Sequence, residues 1–183
     1  AHAGVEPHRG RSATLQAAHT TLALHDLNEK WPGVTVNVGV IRGGTRPNVV
    51  ADRCELEVDI RAPTHESYEE ALHAVEDAAT APHVPDVTVE VTQRSGFPPM
   101  EKGEGTARLV DKARAIAEQL GFSVDDTATG GASDANGVAA LGVPTLDGLG
   151  PVGGGAHSPE EWLDLRSVVL RTALLAALIA EGR

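Results

Sequence analysis

Residues 34–40 read Val34-Thr35-Val36-Asn37-Val38-Gly39-Val40, a strict alternation of apolar and polar side chains. Successive side chains of a strand point to opposite faces, so this alternation predicts a half-buried strand. Residues 53–61 alternate in the same way between apolar and charged side chains. The sequence therefore predicts two successive strands, each with one apolar face, joined by the turn-rich residues 43–48.

Helical patterns flank the two strands. Residues 12–30 and 64–79 carry apolar side chains at helical spacing, and Thr64-x-x-Ser67 is a plausible helix start. A third alternating segment, 87–91, predicts another strand. The order α-β-β-α-β becomes the ferredoxin-like β-α-β-β-α-β pattern if one strand precedes Ala1. The apolar stripe predicted for the first helix consists of Leu15, Ala18, Leu22 and Leu27.

Proline and glycine cluster in residues 95–105 and indicate a boundary. A helix is predicted beyond it over 106–120, short strands over 122–124 and 143–146, and a small-residue loop over 126–136. We expect Asp134 to cap a short helix and Ser158 to cap the last one. The predicted buried stripe of that last helix is Trp162, Leu165, Val169, Leu175 and Ile179.

Composition excludes several classes of function. The chain has 183 residues, with 15 Lys and Arg against 26 Asp and Glu, a formal net charge of −11. Such an acidic surface repels phosphate backbones, so no nucleic-acid partner is expected. The single cysteine excludes an internal disulfide framework. No apolar run approaches the roughly 20 residues of a membrane span, so we expect a soluble protein without a membrane partner, with the cytoplasm as the default location.

Two glycine-rich segments stand out as candidate sites. Gly153-Gly154-Gly155 precedes His157, and neutral imidazole is a good zinc ligand, although a surface histidine beside a flexible loop would look the same. Gly130 and Gly131 lie in a small-residue loop whose backbone can pass close to a ligand. The alternative is a plain turn that leads into a helix.

Polar residues near the two predicted strands supply further candidates. Arg61 ends the second strand and offers a fork of donors suited to a carboxylate, or it simply pairs with a neighbouring acid. Asn48 lies in the connection between the strands. His2, near the first residue, is by itself an ordinary surface histidine.

Taken together, these segments resemble the peptidase M20 family of co-catalytic zinc hydrolases, which includes glutamate carboxypeptidase, acetylornithine deacetylase and aminoacylase. Any one segment is a weak match, and five in the family's order are a strong one. The matching residues are His2-Ala3-Gly4, Gly43-Gly44 through Asn48-Val49-Val50, Asp59-Ile60-Arg61, Gly130-Gly131-Ala132-Ser133-Asp134-Ala135, and Gly150-Pro151 through His157-Ser158.

The resemblance implies an α/β fold in two parts. Residues 1–95 would be a ferredoxin-like lid and dimerisation domain that lacks its first strand. Residues 98–183 would be the C-terminal part of an α/β catalytic domain. It also implies a homodimer through the lid, a missing N-terminal catalytic segment, and a small acyl-amino-acid or peptide substrate. The competing hypothesis is a non-catalytic ferredoxin-like dimerisation or ligand-binding module.

The resemblance also implies roles for individual residues. In the family two zinc ions activate a water that attacks an amide carbonyl, and His157 would be a terminal ligand of one ion. His2 would steady the oxyanion in the partner subunit's site. Since the family's other metal ligands and its general base have no counterpart here, we expect this chain alone to be inactive and to bind zinc weakly or not at all. The residues that would bind substrate are Asn48, Arg61, Arg94, Gly130 and Gly131.

Overall fold

The computed structural model describes residues 1–94 and 96–181. The chain divides into two compact units, Ala1–Pro99 and Met100–Arg183. Each unit has its own small buried core. No helix in the described ranges is both long and apolar enough to span a bilayer.

The first unit is built on an antiparallel hairpin. Its strands are β1 (Thr35–Gly43) and β2 (Cys54–Arg61), with Thr35 opposite Arg61 and Gly43 opposite Cys54. The register shifts between Val38 and Val40, so Gly39 forms a bulge. Both strands predicted from alternation are thus confirmed.

Two helices pack with the hairpin in the first unit. The helix α1 (Ala13–His25) is capped by the side chain of Ser12 and continues into the 3-10 turn Asp26–Glu29. The helix α2 (His65–Thr80) begins with the expected Thr64–Ser67 capping box. Helix and strand residues together form the core, which consists of Leu24, Leu27, Val34, Val36, Ala71 and Val75.

The apolar stripe predicted for α1 is wrong in part. Leu15 and Leu22 are 51% and 65% exposed, whereas the polar residues Gln16 and Thr20 are buried. Gln16 turns inward because its side chain bonds to the backbone that follows α2. Long-range hydrogen bonds of this kind leave no trace in helical periodicity.

The third strand predicted in this unit does not form. Residues 87–94 are described and belong to no strand. A strand requires a hydrogen-bonded partner, and in the ferredoxin-like order the last strand pairs with the first. No such first strand lies among the described residues, so the alternating segment 87–91 lacks the partner strand that this order requires.

The second unit is mostly helical. Its elements are α3 (Glu104–Gln119), α4 (Asp134–Ala140), the two-residue strands β3 (Gly153–Gly154) and β4 (Trp162–Leu163), and α5 (Leu165–Glu181). The core joins α3 to α5 through Ala113, Ile116, Ala117 and Leu174. The strands predicted at 122–124 and 143–146 do not form.

Three predictions about helix ends and faces are wrong in this unit. Ser133, not Asp134, caps α4. Ser158 caps no helix, because the chain turns back through β4 before α5 begins at Leu165. The stripe predicted to be buried is exposed, as shown by Leu165 at 78% and Val169 at 75%, while Leu174 is the buried residue of α5.

Candidate functional site

His2 and Asn48 are brought together at one corner of the first unit. The backbone of His2 forms an isolated antiparallel bridge with Val49. On either side of it, the Ala3 amide donates to the Asn48 carbonyl at 2.9 Å and the Val50 amide donates to the Ala1 carbonyl at 2.9 Å. Both candidate side chains are exposed. The backbones of two residues 46 positions apart in sequence are therefore held together, with Val49 rather than Asn48 directly opposite His2.

The imidazole of His2 is held by the turn that follows it. The Gly4 amide donates to His2 Nδ1 at 3.1 Å, and the Glu6 amide donates to the His2 carbonyl at 3.2 Å. A Cβ at Gly4 would lie 3.6 Å from His2 Cε1, which is ordinary contact. Sequence reasoning identified His2 but gave no role to the Gly4 amide, since no side-chain pattern indicates a backbone donor.

Arg61 lies at the other end of the hairpin. It ends β2 opposite Thr35, whereas the connection carrying Asn48 leaves from the far end, seven residues away. Seven residues of strand span about 23 Å. Arg61 Nε donates to Asp59 Oδ2 at 2.7 Å, and Nη1 and Nη2 have no hydrogen-bond partner in the described part of the chain. Its two terminal nitrogens are thus available to a ligand.

Arg94 is placed near the opposite end of β2 from Arg61. Its Nη2 lies 3.9 Å from Glu55 Oε1, a loose ion pair on the surface. It also lines a shallow open cleft of about 320 Å³, together with Tyr68 and Phe97. The structure therefore does not bring the two arginines into one anion-binding group.

Gly130 and Gly131 precede α4 in the second unit. A Cβ at Gly130 would meet open space, and one at Gly131 would only contact the neighbouring Thr129 hydroxyl at 3.5 Å. Neither glycine has a positive φ. Packing within the described residues therefore does not require glycine at either position. Ser133, which follows this loop, donates from Oγ to Asp147 Oδ2 at 2.7 Å. The sequence pattern did not predict this contact.

His157 occupies the tip of the loop that joins β3 to β4. Its φ is +63°, the left-handed region that non-glycine residues seldom adopt. Gly155, also at positive φ, accepts from the Ser158 amide at 3.1 Å and from Ser158 Oγ at 2.8 Å, which fixes the turn. The His157 side chain is exposed. An exposed histidine in a strained backbone conformation is typical of a functional position.

One charged pair lies on the hairpin of the first unit, and another lies at the base of the loop carrying His157. Arg42 donates to Glu57 across the hairpin and holds the pKa of that carboxyl below its usual value. At the base of the loop carrying His157, Arg166 lowers the pKa of Asp164 through two hydrogen bonds from its side chain and one from its backbone amide. Both carboxylates are therefore ionised at neutral pH.

The described residues do not fit a zinc site by themselves. A catalytic zinc ion takes three protein ligands and a water. Within residues 1–94 and 96–181, no group of three or more His, Cys, Asp or Glu side chains could hold a metal ion. His157 is at most one ligand of a site completed by other groups.

Comparison with known proteins identifies the class of the first unit. Residues 1–87 match the family model described as a peptidase dimerisation domain. The whole chain is similar to carboxypeptidase G2 of Pseudomonas sp., with 30% identity over 182 residues, which is 98% of this chain and 44% of that protein.

Solved structures extend the likeness to both units. A tripeptidase from Staphylococcus aureus matches 98% of the chain with a TM-score of 0.78 and 26% identity, and aminopeptidase PepT from Bacillus cereus matches 99% with a TM-score of 0.75 and 26% identity. The chain covers 47% and 48% of those two structures, so it spans about half the length of the relatives it matches. Residues 1–87 thus belong to the dimerisation (lid) domain of the M20 peptidases, and the α/β chain as a whole is similar to peptidases of that family.

Proposed function

We propose that this chain supplies the lid, residues 1–95, and the C-terminal part of the catalytic domain, residues 98–183, of an M20-type zinc amidohydrolase. The substrate class is an N-acyl amino acid or a small peptide. The relatives named as carboxypeptidase, aminopeptidase and tripeptidase support amide-bond hydrolysis in the whole protein. The cytoplasmic location expected from the sequence stays a prediction.

The observation that carries the proposal is the corner at which His2 and Asn48 meet. Bridge hydrogen bonds on both sides of His2 hold its backbone against residues 48–50, so two residues with donor side chains are fixed in one region. Preorganised donors of this kind stabilise an oxyanion because they need no reorientation as charge develops. Here His2 and Asn48 would bind the carbonyl oxygen of the substrate amide.

Arg61 would bind the free carboxylate of the substrate. Its bond to Asp59 uses Nε and leaves Nη1 and Nη2 as a pair of parallel donors, the geometry that a carboxylate accepts. Because Arg61 and Asn48 belong to opposite ends of a strand about 23 Å long, one subunit would not place both on one small substrate. In a dimer, Asn48 of one subunit and Arg61 of the other would bind the same substrate. Arg94 would add positive charge to this site. In the second unit, the open backbone at Gly130 and Gly131 would accommodate the acyl or leaving group.

The zinc ions of the intact enzyme would require ligands from outside this sequence, with His157 contributing one. The chain alone is therefore expected to be inactive. The test compares the 183-residue chain with a full-length protein that includes the missing N-terminal segment. Zinc titration and hydrolysis of N-acyl amino acids and tripeptides are measured for both.

Turnover is expected only in the full-length protein, and His157→Ala there should lower kcat by at least 100-fold. Stoichiometric sub-micromolar zinc binding or turnover by the 183-residue chain would contradict the proposal. Substrate binding by the full-length protein without metal-dependent turnover would instead favour the non-catalytic ligand-binding module.

The proposed homodimer uses α1 and β1. Leu15 and Leu22 are exposed and lie seven residues apart, two helical turns, on one face of α1. In the described residues β1 pairs only with β2, so its other edge offers free backbone groups. Unpaired strand edges recruit further strands, and a two-fold axis uses the same edge twice. A second copy would then cover both the edge and the leucines.

Sedimentation velocity at micromolar concentration tests this assembly. Wild type should sediment as a dimer, and L15E/L22E as a monomer, because two charges would be buried in the contact. The matched control L170E/L175E alters two exposed leucines of α5 and should leave the dimer intact. A monomeric wild type, or dissociation by the control pair alone, would refute this interface.

A further inference from the structure

The backbone amide of Gly4 lies 3.1 Å from Nδ1 of His2 and donates to it. An amide N–H can only donate, so the ring nitrogen that receives it must carry a lone pair. A neutral imidazole has one protonated and one unprotonated nitrogen. The proton of neutral His2 therefore resides on Nε2.

The surroundings reinforce this orientation. The His2 carbonyl accepts from the Glu6 amide at 3.2 Å, and the Ala3 amide is engaged by the Asn48 carbonyl. The segment from Ala1 to Glu6 is thus a closed turn fastened to the residues around Asn48. Nε2 has no hydrogen-bond partner among the described residues, and the side chain is exposed.

We propose that the Gly4 amide is a positioning group that fixes His2 as the Nε2–H tautomer, so that the exposed ring presents a donor at Nε2. The importance of this tautomer for catalysis rests on the proposed function, because a donor is what a developing oxyanion requires. The tautomer itself depends only on the turn. Position 4 then requires a residue with a backbone N–H. It does not require glycine as such, because a Cβ there would make only ordinary contact with the ring.

The test measures the tautomer directly and does not use activity. Long-range ¹H–¹⁵N correlation spectra of the ¹⁵N-labelled 183-residue chain, recorded at pH 8.5 where imidazole is neutral, report which nitrogen of His2 is protonated. We expect a protonated Nε2, an unprotonated Nδ1, and a scalar coupling between Nδ1 and the Gly4 amide nitrogen. A hydrogen bond of ordinary net strength changes the tautomer ratio by about fivefold.

Two variants separate the amide from the side chain. Gly4→Ala keeps the N–H and should keep the wild-type pattern, whereas Gly4→Pro removes it and should lose about fivefold in the ratio of Nε2–H to Nδ1–H forms. In wild type, an Nδ1–H tautomer or the averaged shifts of a free imidazole would overturn the proposal, whether or not Gly4→Pro folds. An unchanged tautomer ratio in folded Gly4→Pro would also overturn it. If the tautomer is confirmed and the full-length protein shows no hydrolysis, the positioning stands and the proposed function fails.

Discussion

At the scale of single residues, His157 has a strained backbone conformation. Its φ of +63° places Cβ close to the backbone, which costs on the order of 1 kcal/mol for a residue other than glycine. The side chain is exposed, so burial of the imidazole does not offset that cost. The backbone conformation at position 157 would therefore suit glycine better than histidine.

Substitutions at position 157 should follow the backbone preference. We expect His157→Gly to leave the free energy of unfolding unchanged or to raise it by up to about 1 kcal/mol, and His157→Val to lower it by about 1–2 kcal/mol. His157→Asn, which tolerates the left-handed region, is the control and should resemble wild type. Urea unfolding measures all three, and equal stability of the Gly and Val variants would show that the loop is not strained.

Asp126 links stability to pH in the second unit. Lys102 Nζ donates to Asp126 Oδ2 at 2.6 Å, and Arg114 Nη2 donates to Oδ1 at 2.6 Å. The hydrogen bond from Lys102 is the main cause that lowers the pKa of Asp126, and the charge of Arg114 adds to it. In the folded chain this carboxyl therefore binds its proton only at a pH below the unfolded value near 4.

The sign of the pH effect follows from that lowered pKa. The stabilising contribution of Asp126 is present above the unfolded value and is lost as pH falls through the folded value. Asp126→Asn should therefore reduce the loss of unfolding free energy between pH 5 and pH 2. Glu118→Gln on α3 is the control and should leave that loss unchanged. Urea titrations across this range decide it, and parallel curves for wild type and Asp126→Asn would contradict the argument.

At the scale of elements, Gln16 joins α1 to the chain that follows α2. Its Oε1 accepts from the His83 and Val84 amides at 2.9 and 3.0 Å, and its Nε2 donates to the Ala81 carbonyl at 2.9 Å. Only 4% of the residue is exposed. One buried amide thus satisfies three backbone groups that no helix or strand pairs.

Replacement of Gln16 by leucine should be costly. Three backbone groups would lose their partner in a part-buried region, so we expect a loss of about 2–4 kcal/mol of unfolding free energy. The exposed Gln93→Leu in the same unit is the matched control and should change stability by less than about 0.5 kcal/mol. Urea unfolding compares them, and a loss below about 1 kcal/mol for Gln16→Leu would show that water replaces these bonds.

At the scale of the whole molecule, the two units differ in how much apolar surface they bury. The first core contains six buried residues, among them two leucines and three valines. The second contains four, two of which are alanines, and α5 leaves Leu165, Val169 and Ile179 exposed. Because hydrophobic burial is the dominant stabilising contribution to folding, the units are expected to differ in stability.

Hydrogen exchange should resolve that difference. We expect the amides of α3 and α5 to exchange faster than those of β1, β2 and α2 in the same sample at neutral pH. As a control, exchange is measured while the protein is diluted through the concentrations at which the dimer dissociates. The exchange rates of the second unit should change little on dilution. Slower exchange in α3 and α5 than in the hairpin would contradict the expectation.

The sequence by itself determined the hairpin strands, the start of α2 and the family. Strict alternation in 34–40 and 53–61 predicts β1 and β2 because a strand has a two-residue period, and Thr64 with Ser67 predicts the start of α2 because capping acts within one turn. The ordered motifs around His2, Asn48, Arg61 and His157 indicated the family that the comparisons confirmed. Their individual roles stay predictions.

Only the tertiary structure decided which faces are buried and which residues meet. Gln16 turns inward because of bonds to residues 65 to 68 positions away, and 87–91 remains unpaired because a strand requires a neighbour. The backbone of His2 is joined to residues 48–50, and the His2 ring to Gly4, by hydrogen bonds whose donors are backbone amides, which every residue type except proline carries. Such bonds leave no compositional trace, because their geometry depends on where the chain folds rather than on which side chains it carries.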